Sequence, residues 1–195
     1  MSKYIPKSRP QITKEEALQV ARHNYGNNVP PLLIIGVRGY YPKSMGATEV
    51  NDFNLYDDAA ILIGDNVFKT FNFNTDPSFL IKKGREMAVL DTGKYKFYRG
   101  KHRGKYNALR AYPEGIVLPC TRNGKKSTCR YINIHKGGMN PSSAGITWSE
   151  GCQTVPTSQW NEFIETVYAN MTKLKISVVD YFLIDNDSML KIIRN

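Results

Sequence analysis

A chain of 195 residues that is 41% hydrophobic can bury one full core, and it reads as a single catalytic-sized domain over 1–195. Lysine and arginine outnumber the acids by 27 to 17, and the net +10 points to a polyanionic partner, whether nucleic acid, an anionic cell envelope or acidic lipid. No apolar run reaches the ~18 residues of a membrane span, and no helix-turn-helix, zinc-finger or RNA-binding aromatic pattern is present, so neither a transmembrane segment nor a specific nucleic acid is expected.

The opening MSKYIPKSRPQITKEEA lacks the apolar stretch and cleavage site of a secretory signal, which predicts a protein that is cytoplasmic when made. Residues 1–12 are polar and proline-containing, and read as a loose arm. Thr13 and Glu16 form a capping box, and Leu18, Ala21 and Tyr25 recur at helical spacing before Gly26, predicting a helix over 14–25. LLIIGVR (32–38), AAILIG (59–64) and VFKTFNF (67–73) read as strands, the last two joined by the turn Asp65-Asn66. Further strands fit MAVLD (87–91), YKFYR (95–99) and GIVLP (115–119).

Cys120 and Cys129 flank the turn-rich TRNGKKST and face each other across a predicted hairpin. An odd total of three cysteines argues against a disulfide scaffold, so both are read as free, half-buried thiols without a catalytic role. CRYINIHK (129–136) alternates, with Ile132 and Ile134 toward the core and Tyr131, Asn133 and His135 on the other face. KGGMNPSSAG must then be a loop. After Pro156, the stripe Trp160, Phe163, Ile164, Val167, Tyr168 and Met171 marks one face of a helix. Two apolar segments, ISVVDYFLI and MLKII, close the chain. The expected fold class is α+β, rich in strands with a few helices.

The stretch WSEGCQTVP (148–156) carries the chemistry. A cysteine nucleophile needs a proton acceptor and donors for a developing oxyanion. No histidine follows Cys152, so its partner must lie upstream. His23 falls on the surface of the first helix, and His135, at a strand end before a glycine-rich loop, is best placed. Gly151 allows a sharp turn, amides at Gly151 and Cys152 are candidates to face a carbonyl oxygen, and Ser149 either donates a further hydrogen bond or ties the turn down. A zinc site from His102, His135 and Cys152 has suitable ligand types but no closely spaced pair to anchor it, so no metal or other cofactor is expected.

The pattern IHKGG followed by Ser149-x-Gly151-Cys152 resembles the L,D-transpeptidase (YkuD-like) catalytic domain, over roughly residues 129–156. That resemblance implies a β-rich sandwich or barrel and a thioester acyl-enzyme formed on peptidoglycan stem peptides. It implies Cys152 as nucleophile, His135 as its proton partner, the Lys136 carbonyl orienting the imidazole, and an oxyanion hole from amides around Gly151. The chain departs from the family pattern in having Glu150 where a histidine is usual and Gln153-Thr154 where an arginine soon follows. A carboxylate beside the thiol raises its pKa unless a cation offsets it; His135 as imidazolium, Lys136 or a basic residue of YRGKHRGK are the candidates.

Glu150, Gln153, Arg110 and His102 are candidate substrate contacts; Arg110 and His102 also read as solvated loop residues. A small basic chain of this kind is similar to phage endolysins, which act on the cell wall after release. The expected function is therefore a cysteine-dependent hydrolase of stem peptides, of L,D-carboxypeptidase or endopeptidase type, adhering to an anionic envelope. A cross-linking L,D-transpeptidase, or a non-catalytic basic module binding cell wall or nucleic acid, are the alternatives.

Overall fold

The computed structural model describes residues 3–195. In chain order they form α1 (Lys14–Tyr25), β1 (Leu32–Arg38), β2 (Asp58–Gly64) and β3 (Val67–Phe73). Three short strands follow: β4 (Ile81–Lys82), β5 (Arg85–Glu86) and β6 (Val89–Leu90). Then come β7 (Gly93–His102), β8 (Tyr106–Ala111), β9 (Leu118–Arg122), β10 (Lys125–Cys129), β11 (Asn133–Gly137) and β12 (Gln153–Pro156). The chain ends with α2 (Thr157–Lys173), β13 (Val178–Asp185) and α3 (Asn186–Arg194).

The fold is α+β and strand-rich. Its main sheet has eight strands in the order β12-β11-β8-β7-β13-β1-β2-β3. The two edges approach each other where Asn74 and Thr154 exchange backbone hydrogen bonds of 2.9 and 2.8 Å, so the sheet is nearly closed, like a barrel. That contact brings the end of β3 against the start of β12, beside the Cys152 turn.

The continuous apolar run of β1 is explained by burial on both faces. Leu32 and Ile34 join the larger core, which Phe163, Ile164 and Val167 of α2 cover. Leu33, Ile35 and Val37 pack instead with Ala17, Val20 and Ala21 of α1 and Met189 of α3. The capping box forms as predicted: Glu16 N donates to the Thr13 hydroxyl, and the Glu16 carboxylate accepts from Thr13 N at 2.7 Å.

The expected loose arm is tied down from Tyr4 onward; Met1 and Ser2 lie outside the described residues. Carbonyls of Ser8 and Pro10 accept from Asn72 and Thr70, Arg9 pairs with Glu162, and Ile12 is buried. Polarity in this segment serves side-chain pairing across the sheet, which a one-dimensional pattern does not reveal. MAVLD contracts to β6, YKFYR extends into the ten-residue β7, and the strand expected at 115–119 shifts to β9.

The largest difference lies in CRYINIHK. Instead of one strand, Cys129 ends β10 and Asn133 begins β11, with Tyr131 between them at φ 60°. The chain there leaves the small β10-β9-β6 sheet and enters the main one. Ile132 and Ile134 are buried as expected, so alternation survives the corner that interrupts the strand. Cys120 and Cys129 are free and buried, on the two strands of the β9–β10 hairpin.

Three buried acids cluster near the junction, two of them, Asp58 and Asp76, beside the Arg38 cation. Asp58 accepts from the amides of Gly39 and Thr75, each at 2.6 Å. Arg38 Nε lies 3.3 Å from Asp76, and Asp57 accepts from the Asp52 amide at 2.8 Å. Burial pushes all three carboxyls up, Asp57 to about 7; repulsion from neighbouring acids adds to the rise, and Arg38 opposes it at Asp58 and Asp76.

Candidate active site

β11 and β12 run parallel, with Ile134 opposite Gln153 and His135 opposite Thr154. Extending that register by one residue sets Cys152 beside Asn133, and strand alternation then puts Asn133, His135 and Cys152 on one face. The Asn133 amide donates to the Cys152 sulfur, consistent with this placement. His135 and Cys152 both line a cleft of about 570 Å³, with Lys82, His102, Arg103, Lys105, Tyr106, Arg130, Tyr131, Trp148 and Glu150 among its walls.

His135 is buried and held in one tautomer. Its Nδ1 lies 2.8 Å from the Lys136 carbonyl, which can only accept, so Nδ1 carries the proton and Nε2 keeps its lone pair. The Tyr106 hydroxyl lies 3.3 Å from the same nitrogen and donates to the same carbonyl at 3.4 Å. His102, far from being a solvated loop residue, ends β7 and stacks on His135 with ring centroids 4.0 Å apart. The Asn133 side chain donates to His102 Nδ1 at 3.1 Å. Burial, then the neighbouring His102, push the His135 pKa down to about 3 against the opposing Lys136 carbonyl.

The Cys152 thiol is half-buried and donates to the Tyr131 carbonyl at 3.8 Å. Burial pushes its pKa up to about 11; the Asn133 amide and Arg103 work against that rise, and Glu150 adds to it. The resting pair is thus a neutral thiol beside a neutral imidazole. His135 as imidazolium does not offset Glu150. That task falls to Arg103 and to Lys82, whose ammonium lies 2.9 Å from Glu150 and holds its carboxyl below the usual range.

The turn bearing Cys152 is clamped from several sides. Ser149 Oγ accepts from Gly151 N at 3.0 Å and donates to the Cys152 carbonyl at 2.6 Å. Ser78 Oγ accepts from Ser149 N at 3.0 Å, and Ser78 N donates back to the Ser149 carbonyl at 2.8 Å. Gly151 sits at φ 131°, and a Cβ there would come within 2.7 Å of the Ala88 carbonyl, so glycine is required on both counts.

Several expected roles change accordingly. The Gly151 amide is engaged by Ser149 and does not face the cleft as an oxyanion donor; Ser149 ties the turn down. Gln153 is not a substrate contact: it is buried, donates to the Thr75 carbonyl at 3.1 Å, and accepts from the Tyr181 hydroxyl at 2.9 Å. Arg110 is absent from the cleft wall and pairs with Glu114, its guanidinium lying over Tyr98. Glu150 and His102 do line the cleft, and His23 is exposed on α1.

Four cleft residues escaped the sequence reading in their present roles. Tyr106 lies in the basic YRGKHRGKY, where charge hid a structural tyrosine; Arg103 of the same run is the basic residue expected to offset Glu150. Lys82 belongs to the basic KKGRE, and Trp148 opens the quoted WSEGCQTVP. Tyr131 carried no signal, because alternation disguised the corner. Among the described residues, no group of three or more His, Cys, Asp or Glu side chains is arranged to hold a metal ion. Compared with known proteins, the chain matches no family model, no curated protein and no solved structure.

Proposed function

We propose that the protein is a cysteine-dependent hydrolase of peptidoglycan stem peptides that works through a thioester acyl-enzyme. The observation that carries this reading is the opening of Cys152 and His135 onto one cleft from adjoining parallel strands, with His135 Nε2 left as a proton acceptor. The motif resemblance of residues 129–156 to the L,D-transpeptidase domain supports the same chemistry, and a nearly closed, barrel-like sheet is compatible with that fold. Stem peptides carry carboxylates, which suits a cleft where Lys82, Arg103, Lys105 and Arg130 face the single acid Glu150.

In the first step His135 Nε2 takes the thiol proton while Sγ bonds to the scissile carbonyl carbon. With the Gly151 amide engaged, the oxyanion falls to the Cys152 amide and the cationic rim. The C–N bond then breaks, and the departing amine receives the proton from the imidazolium. Water, deprotonated by the same imidazole, attacks the thioester and restores the thiol. The protein would be made in the cytoplasm and act on the wall after release, its positive charge favouring an anionic envelope.

Digestion of purified peptidoglycan followed by mass spectrometry of the muropeptides tests this reading. Shortened or separated stems are expected from the wild type and not from Cys152→Ala or His135→Ala. New cross-links would replace hydrolysis by transpeptidation, and unchanged muropeptides or turnover in either variant would overturn the assignment.

A further inference from the structure

The proposed reaction leaves a wide gap between a thiol that holds its proton and an imidazole that declines it. Burial already keeps the thiol protonated at rest, and the Tyr131 carbonyl is placed to accept that proton. A non-glycine residue with positive φ is uncommon, and for a bulky side chain the left-handed region is strained. Tyr131 adopts φ 60° while its ring, 64% exposed, makes little packing contact that would offset that strain. Its neighbours are pinned: Arg130 donates to the Gly115 carbonyl at 2.8 Å, and the Ile132 carbonyl accepts from Ala111 N at 3.1 Å. The strained residue between them turns its carbonyl toward the Cys152 sulfur, 3.8 Å away.

We infer that Tyr131 is a positioning residue for the Cys152 thiol, its left-handed backbone holding a carbonyl against the sulfur so that the proton stays there until the backbone relaxes. This rests on reading Cys152 as the nucleophile. A carbonyl oxygen favours the protonated sulfur, whereas the Asn133 amide on the same atom favours thiolate, so the two backbone groups act in opposition. Relaxation of Tyr131 to negative φ swings the carbonyl away and leaves the amide unopposed. Tyr131 itself lines the cleft, so a substrate seated there would lie against the strained residue.

Backbone preference can be separated from the ring by substitutions that all remove the ring. Tyr131→Gly accepts positive φ without strain, Tyr131→Ala disfavours it, and Tyr131→Val disfavours it further. Iodoacetamide labelling of Cys152 across pH, read by peptide mass spectrometry so that Cys120 and Cys129 are scored apart, reports the thiol midpoint. Wild type and Tyr131→Gly should titrate near the resting value of about 11. Tyr131→Ala and Tyr131→Val should titrate roughly one unit lower, labelling on the order of tenfold faster at neutral pH.

Coincident midpoints for Gly and Ala, or Gly below Ala, would overturn the inference, and the Ala variant decides if Val does not fold. A corner needed only for the chain path would lower stability in Ala without separating the two midpoints. Labelling needs no peptidoglycan. Intact stems together with the Gly–Ala separation would therefore remove the hydrolase reading while supporting the role of Tyr131.

Discussion

Cys152 and His135 sit in surroundings that oppose charge on both. Burial raises the thiol to about 11 and lowers the imidazole to about 3. His135 must be neutral to accept a proton, and it stays neutral above its folded pKa, so turnover should lack the acid limb near pH 6–7 that an ordinary histidine imposes. The rate of stem cleavage should instead stay flat through the neutral range, because the reactive neutral thiol and neutral imidazole are both fully populated there. A narrow bell in kcat/KM, with limbs near the ordinary histidine and cysteine pKa values, would contradict the neutral-pair assignment. Ser149 illustrates a second dependence at this scale, because its hydroxyl both accepts from Gly151 and donates to the Cys152 carbonyl. Ser149→Ala leaves two buried groups unpaired, which should cost about 1–3 kcal/mol. Denaturant unfolding and the labelling rate of Cys152 check this together, and an unchanged unfolding midpoint would show the clamp to be dispensable.

Among the elements, α1 was fully legible and the β10–β11 connection was not. Thr13 and Glu16 mark the helix start through local hydrogen bonds, and Thr13→Ala should cost about 1 kcal/mol in unfolding free energy. A loss below a few tenths would mean that burial of Ala17, Val20 and Ala21 holds the helix without its cap. The corner at Tyr131 answers instead to the meeting of two sheets, a non-local demand that leaves alternation intact. Gly151 lies between these extremes. The turn was readable from its neighbours, whereas the carbonyl of Ala88, which excludes any Cβ, comes from a distant part of the chain. Gly151→Ala should therefore abolish stem cleavage and lower the melting temperature, since it adds both a left-handed strain and a backbone clash. Wild-type melting and activity in that variant would refute the close approach.

The whole molecule carries a pH-dependent burden in its buried acids. Asp57 titrates near 7 when folded, against about 4 for an unfolded aspartate. The folded state keeps that proton while the unfolded state loses it, so stability is lost as pH rises from about 4 to 7. His135 acts in the opposite sense: the unfolded chain binds its proton below about 6.5 and the folded chain does not until about 3, so stability falls as pH drops through that window. The difference between wild type and Asp57→Asn isolates the first effect. The variant should gain melting temperature relative to wild type at pH 7.5 and lose that advantage toward pH 4. A constant difference across pH would show that Asp57 is ionised in the fold. The Thr75 carbonyl near this cluster accepts from Gln153, tying the acids to the Cys152 turn.

What the sequence determined by itself was whatever depends on neighbours along the chain. This includes the capped helix, the buried strand β1, the helix after Pro156, the α+β class, and the suspicion that Cys152 and His135 belong together. Tertiary structure alone decided which groups surround that pair. It stacked His102 on His135, withdrew Gln153 and Arg110, engaged the Gly151 amide, and turned Tyr131 toward the sulfur. The physical reason is that periodicity and capping are short-range, whereas burial, charge offset and hydrogen-bond competition at a cleft arise from strands that meet only when the sheet closes.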